Sequence, residues 1–313
     1  MPDDRDAIFD LVRQDGRRPV APGARAMADW LGRRHPRVGA ILFYGSCFRS
    51  GEDRDAVLDL YLLVDSYRGF YDRRRLAVAN AALPPNVFYA EIPFEGRRAR
   101  SKYAVMSFRD FAAAASRRAV LPAIWARFSQ PAALLWARDD GATSRAEAAL
   151  ADAIVTMAWR TAPLVTGPVS PVEFWTAGYA RSYRAEWRIE GEARAAALVS
   201  PPERFEALLR PALRLAGVPF EEAGEGRLRI LLSAAERRAG LARWRWSAAA
   251  TRLHSLPRLA KAALTFEGGV DYALWKVERH SGVHIEASDW QRRHPLLAAL
   301  PLLWRAYRAR AFH

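Results

Sequence analysis

The sequence predicts an α+β protein in which a mixed sheet with flanking helices is followed by a mostly helical domain and then a basic C-terminal helical segment. Three observations lead there. Between Ala40 and Ser107, apolar runs of strand length alternate with stretches of helical spacing. From Ser144 onward, Ser and Glu three residues apart recur as capping boxes that announce helices. Beyond Glu236, arginine and tryptophan concentrate in stretches that carry no acid.

Ala40 to Tyr44 is a short apolar run that stops at Gly45, and Val57 to Val64 is a longer one with a single carboxylate, Asp59, inside it. Both read as buried strands. Arg68 to Leu83 has helical spacing and ends at Pro84 and Pro85, which cannot continue a helix. Asn86 to Pro93 and Lys102 to Met106 read as two more strands, and a helix starts near Ser107. The boxes Ser144/Glu147, Ser170/Glu173, Ser200/Glu203 and Ser233/Glu236 then mark helix starts, two of them reinforced by Pro at the first helical position. Arg227 to Leu232 is the strand candidate of that region, enough for a small wing. The expected division is residues 1–140, 141–250 and 251–313, in keeping with the usual domain size of roughly 100–200 residues.

At 51% hydrophobic and 26% charged, the 313 residues fit a globular protein. A lone cysteine, Cys47, excludes a disulfide framework and suits a reducing compartment. The acidic N-terminus resembles neither a signal nor a transit peptide, and the apolar run Pro295 to Trp304 is far short of the roughly 20 residues a membrane span needs. A cytoplasmic protein is expected.

The net charge is +14, and its placement is informative. Seven basic residues and no acid lie between Glu236 and Glu267, and five more follow Asp289. Interleaved with Trp244, Trp246, Trp290, Trp304 and Tyr307, they suit an anionic membrane surface, where arginine meets phosphates and the rings sit at the interface. Arg243, Trp244, Arg245, Trp246, Trp304 and Arg305 are the candidate membrane residues, on the inner face of the cell membrane. Nucleic acid is the rival partner and a solvated basic face the plain alternative.

The chemistry-bearing stretch runs from Phe43 to Val64. A strand entering Gly45-Ser46, followed by a carboxylate within the next apolar strand, is the layout of polymerase β-like nucleotidyltransferases. Gly45 lets the backbone approach a triphosphate, Ser46 can donate to a phosphate oxygen, and Asp59 would hold Mg²⁺. The alternative for Asp59 is an ion pair with an arginine, since a buried carboxylate needs a partner. The position two residues on, where the superfamily has a second carboxylate, is Tyr61. Glu91, also a charge inside an apolar strand, is the best substitute second ligand, ahead of Asp53, Asp55 and Asp65, which are expected in solvated turns.

Tyr44-Gly45-Ser46 with Leu58-Asp59, the block Ser101 to Ser107, the block Ala126 to Pro131 and the segment Ala177 to Tyr183 together resemble the motifs of the mitochondrial-type CDP-diacylglycerol synthases, the translocator assembly and maintenance family. The likeness covers roughly residues 35 to 190, and Cys47, Ala104 and Ala126 stand where that family has glycine. It implies a nucleotidyltransferase domain, a winged-helix-like domain and a membrane-binding C-terminus. It implies transfer of the CMP moiety of CTP to phosphatidic acid with Mg²⁺, in phospholipid synthesis. By the same resemblance Gly45 and Ser46 contact the triphosphate, and Lys102 and Arg127 meet phosphates, with Asp59, Glu91 and Lys102 as the catalytic set.

From the residues alone, Lys102 is equally a solvated strand-end lysine, and Arg127 equally a partner of Asp139 or Asp140. A phosphate monoester has a second pKa near 6 and needs no general base to act as nucleophile, in keeping with motifs that contain no histidine. The rival readings are a nucleotidyltransferase acting on RNA, protein or a small molecule, and a non-catalytic membrane-surface protein with a decayed nucleotide site. The six histidines are scattered and suggest no metal site. Arg181, Tyr183, Arg184 and Glu186 could line a lipid-headgroup pocket or form a solvent face.

Overall fold

Val57–Val64 is almost uninterrupted apolar sequence, which is what a strand needs when both faces of its sheet are covered. In the computed structural model, which describes residues 3–54, 56–185, 192–265, 288 and 290–291, it is the central strand, β2. Two helices precede it, α1 (Asp4–Gly16) and α2 (Pro22–Arg34), then β1 (Val38–Tyr44) and the single-turn α3 (Ser46–Ser50). After β2 come α4 (Tyr67–Phe70), α5 (Arg74–Ala82), β3 (Asn86–Phe94), β4 (Arg97–Ser107), α6 (Phe108–Ala115), α7 (Trp125–Phe128) and β5 (Ala133–Ala137). The sheet is mixed, in the order β3-β4-β2-β1-β5, with β2 and β4 parallel and the other neighbours antiparallel.

The alternation of β2 sorts the two layers. Leu58, Leu60 and Leu62 pack with Met27 and Leu31 of α2 and Leu76 of α5. Tyr61 and Leu63 point the other way, toward Ile8 and Val12 of α1, Phe111 of α6 and the long α8 (Asp140–Thr161). That second core continues into the described helices that follow. It takes in α9 (Pro171–Ala185), α11 (Pro202–Leu215) and α12 (Ala234–Thr265), with α10 (Glu192–Ala197) between α9 and α11.

A three-stranded sheet, β6 (Pro168–Val169), β8 (Leu228–Ile230) and β7 (Phe220–Glu222), lies beside these helices in the order β6-β8-β7. The expected strand at 227–232 is its middle member.

Several expectations need correction. The helix expected over Arg68 to Leu83 is two helices, α4 and α5. Ser170/Glu173 and Ser233/Glu236 form reciprocal capping boxes, each with the backbone N–H to carboxylate bond at 2.8 Å and the return bond at 3.2 Å. Ser144 instead lies inside α8, which is capped by Asp139 accepting from the Ala142 N–H at 2.6 Å. Glu147 turns to Arg13 of α1 at 3.1 Å. Ser200/Glu203 makes no box, because α11 starts at Pro202. The boundary expected at 250/251 falls inside α12, and α1 packs on α8 and α11, so the first two expected domains share one core. No helix among the described residues is long and apolar enough to cross a membrane.

Far-apart segments are tied by one buried ion pair. Arg204 of α11 meets Asp15 of α1 at 2.6 Å, and its other nitrogen donates to the Ser129 carbonyl just after α7 at 3.1 Å. Leaving one buried charge alone typically costs about 3–5 kcal/mol. Asp15→Ala should therefore lower the urea-unfolding free energy by about that amount, and a loss under about 1 kcal/mol would show that the clamp carries no stability.

Candidate functional site

The chain leaves β1 at Gly45 with φ of 90°, a left-handed conformation that side chains resist. Tyr44 is the register partner of Asp59, so the turn falls directly beside that carboxylate. A Cβ on Gly45 would sit 2.8 Å from Asp59 Oδ2, closer than side chains tolerate. Glycine therefore permits the main chain and the carboxylate to share this corner. Ser46, exposed, opens α3 immediately afterwards.

The parallel pairing of β2 and β4 sets Lys102 opposite Asp59, with Nζ 3.3 Å from Oδ1. Their side chains remain 39% and 27% exposed, so the pair is open to a ligand. Tyr89 of β3 is next in the same row. Among the described residues Asp59 is locked against no arginine; its ion-pair partner is Lys102.

Arg127 of α7 approaches from the side. Its guanidinium lies 5.4 Å from the Tyr44 ring centre, and Nη1 is 3.5 Å from the Tyr61 hydroxyl. Tyr61 is only 3% exposed and packs edge-on against Phe128 of α7. The residue standing where a second carboxylate was looked for thus anchors a cation. Neither Asp139 nor Asp140 pairs with Arg127; Asp139 caps α8 and binds Arg138 at 3.0 Å. Arg49 of α3 reaches Gln130 at 3.2 Å, which joins α3 to the segment after α7.

Glu91 does not join Asp59. Its oxygens are taken by the Tyr89 hydroxyl at 2.5 Å, Arg98 at 3.0 Å and Arg100 at 3.2 Å. It pairs with Arg100, which pairs with Val57, so it lies two strands across and two residues along from Asp59. Sheet spacings make that roughly 12 Å between Cα atoms, too far for two carboxylates to hold one ion. The expectation of Glu91 as second metal ligand is corrected on this ground. Asp53 is likewise not a solvated turn residue: it is buried, accepting from the Gly23 N–H at 3.0 Å and from Arg97 at 2.7 Å. Asp65 pairs with Arg138 and Arg145, and Asp55 lies outside the described residues.

Among the described residues no three His, Cys, Asp or Glu side chains converge on a common point. A site built on two metals held by protein carboxylates does not fit these residues. A single Mg²⁺ does fit, because that ion is commonly bound by one or two carboxylates together with substrate phosphates and water. Asp59, half-open beside a main chain without a Cβ, is the residue that would hold it. Cys47 turns inward, its thiol 3.5 Å from the Val57 carbonyl; burial, and then the nearby Asp59 charge, push its pKa up.

The candidate membrane residues separate. Trp244 is fully buried, donating to the Arg160 carbonyl at 2.7 Å and packing edge-on against Trp125, so it is a core residue and not a membrane contact. Arg243 is half-buried, its guanidinium 4.5 Å from the Trp159 ring centre. Arg245 and Trp246 are exposed, Trp246 by 65%, and Trp304 and Arg305 lie outside the described residues. Arg245, Ala248, Ala249 and Arg252 occupy one face of α12 and, with Arg181 and Arg184 of α9, line a basic groove of about 430 Å³. Burial and then the charges of Arg184 and Arg245 hold the Arg181 pKa below its ordinary value.

No known protein-family model matches the chain, and no curated protein does.

Burial acts to raise the Glu91 pKa, but the Tyr89 hydroxyl, Arg98 and Arg100 outweigh it and hold the carboxyl below the usual range. The stability this supplies is complete above the unfolded value of about 4.3 and is lost as pH falls through the lower folded value. The stability difference between wild type and Glu91→Gln, followed by denaturant unfolding, should be constant near neutrality and shrink below about pH 4.3. A difference that grows in acid would contradict the assignment.

Proposed function

We propose that the chain is a Mg²⁺-dependent nucleotidyltransferase that joins CTP to phosphatidic acid, yielding CDP-diacylglycerol and pyrophosphate. The observation that carries the reading is the corner where Gly45 meets Asp59, with Lys102 paired across the strand. Gly45 and Ser46 would receive the triphosphate against bare main chain. When bound, Mg²⁺ would neutralise phosphate charge and make the α-phosphorus more electrophilic. Asp59 would hold that ion, releasing Lys102 toward the phosphates. Lys102 and Arg127 would supply positive charge where negative charge accumulates during transfer.

The acceptor is a phosphomonoester, already ionised at neutral pH, so no side chain has to remove a proton before attack. The choice of CTP and phosphatidic acid rests on the sequence resemblance. The basic groove between α9 and α12 supports an anionic acceptor, and the exposed Trp246 and Leu253 on α12 support work at a lipid interface, peripheral to the cytoplasmic leaflet. One observation favours a second reading. The direct Asp59–Lys102 contact satisfies both charges without any ligand, as a non-catalytic protein with a decayed nucleotide site would require.

Labelled CTP, Mg²⁺ and vesicles containing phosphatidic acid separate the two. The enzyme reading expects a CDP-lipid product with stoichiometric pyrophosphate, reduced by on the order of 10²-fold or more in Asp59→Asn. Lipid turnover that survives Asp59→Asn would overturn the site, and absence of product with any nucleotide would favour the non-catalytic reading.

A further inference from the structure

At the far end of α8, remote in the chain from the Gly45 corner, Arg160 is buried to 5% exposure without a carboxylate partner among the described residues. Its guanidinium donates to the Ala119 carbonyl at 2.5 Å and to the Ser247 hydroxyl at 3.4 Å, and its Nε has no hydrogen-bond partner. The rings of Trp125 and Trp159 lie 5.5 and 5.3 Å from it. Those faces favour a cation, yet they leave its net charge uncompensated.

A second guanidinium, Arg243 of α12, sits 4.5 Å from the same Trp159 ring, and a third, Arg117, at 5.9 Å. Arg117 is exposed and near Asp152, but Arg160 is buried and Arg243 half-buried, and two like charges at a desolvated contact are unfavourable unless an anion joins them. Burial, and after it the Arg243 charge, lower the Arg160 pKa to about 10.

Arg160, Arg243 and Trp159 line a half-enclosed cavity of about 130 Å³ together with Gly217, Gly240 and Glu236. Glu236 is the acid on this wall, and its carboxylate is engaged by the Ser233 N–H and hydroxyl at 2.8 and 2.6 Å in the α12 capping box. The volume corresponds to about four waters at roughly 30 Å³ each, enough for a small oxyanion.

We propose that this cavity binds a small multivalent oxyanion of the phosphate class between Arg160 and Arg243. An oxyanion there offers acceptors to the planar fork of Arg243, the geometry guanidinium groups favour, and sets a negative charge beside the uncompensated Arg160. It also bridges α8 to α12, so occupancy would seat the helix that carries the basic groove. The site is separate from the nucleotide corner and does not depend on the proposed transferase activity.

Thermal unfolding of the full chain in inorganic phosphate, against sodium chloride at matched ionic strength, tests it, with calorimetry giving the phosphate Kd. Phosphate should raise the Tm of wild type and of Lys102→Gln alike. Arg243→Gln should abolish the rise and weaken the Kd by roughly 30-fold or more, as loss of one partner of a desolvated charge pair does. Arg243→Lys keeps the charge and loses the fork, so it should weaken phosphate by a smaller factor and covers the case in which Arg243→Gln fails to fold. No phosphate-specific rise in wild type, or one unchanged in both Arg243 variants, overturns the proposal. A rise lost in Lys102→Gln would move the anion to the nucleotide corner and overturns it equally.

Discussion

The site is set by the register of two strands. Because Tyr44 stands opposite Asp59, the bend that follows β1 must pass over a carboxylate, and the chain does so at Gly45 with a φ of 90°. Any side chain at that bend would collide with Asp59 Oδ2. A strand that ended one residue earlier or later would carry the bend away from the acid and leave the Asp59–Lys102 pair, set by β2 and β4, without the open main chain beside it. The corner and the lysine thus follow from two pairings that meet at Asp59, and Arg127 is added from outside the sheet through Tyr61.

That addition explains why the helical region cannot be separated from the sheet. Arg127 rides on α7, whose end is held by Arg204 of α11 through the Ser129 carbonyl, while the Ser129 hydroxyl lies 3.1 Å from that of Tyr179 on α9. Arg204 is in turn fixed by Asp15 of α1. Elsewhere, Lys261 of α12 donates to the carbonyls of Leu83 and Pro85 ahead of β3. The first two of the three expected domains are therefore layers of one packed body, with the long α12 bound to both.

Much of the sheet was legible. β2 runs over the expected Val57–Val64, because a central strand buried on both faces has a continuous apolar signature with sharp ends. β1 was found for the same reason, and β3, an edge strand, by its apolar and aromatic run after Pro84 and Pro85, with ends shifted by a residue or two. β5 was missed: Ala133–Ala137 is an edge strand, and five residues of alanine, leucine and tryptophan suit a helix equally well. Two of four Ser-x-x-Glu pairs cap helices, since the motif is local but a helix start is chosen by packing. At the site, Gly45 and Asp59 were readable because their spacing is fixed by adjacent strands. Glu91 was misread because the pattern shows a charge in a strand but not the Arg98 and Arg100 beside it, which come from the opposite strand of its own hairpin. Trp244 was misread because composition does not show which way a helix face turns. Tyr61 as the anchor of Arg127 was signalled only by its place two residues beyond Asp59, on the same face of β2.

The most direct test of the central claim is equilibrium binding of CTP to the full chain, by calorimetry, with and without Mg²⁺. If Asp59 and the Gly45 bend form a metal-nucleotide corner, binding is one to one, requires Mg²⁺ and is lost in Asp59→Asn. Binding of equal strength without the metal, or no heat with any nucleoside triphosphate, would contradict that account.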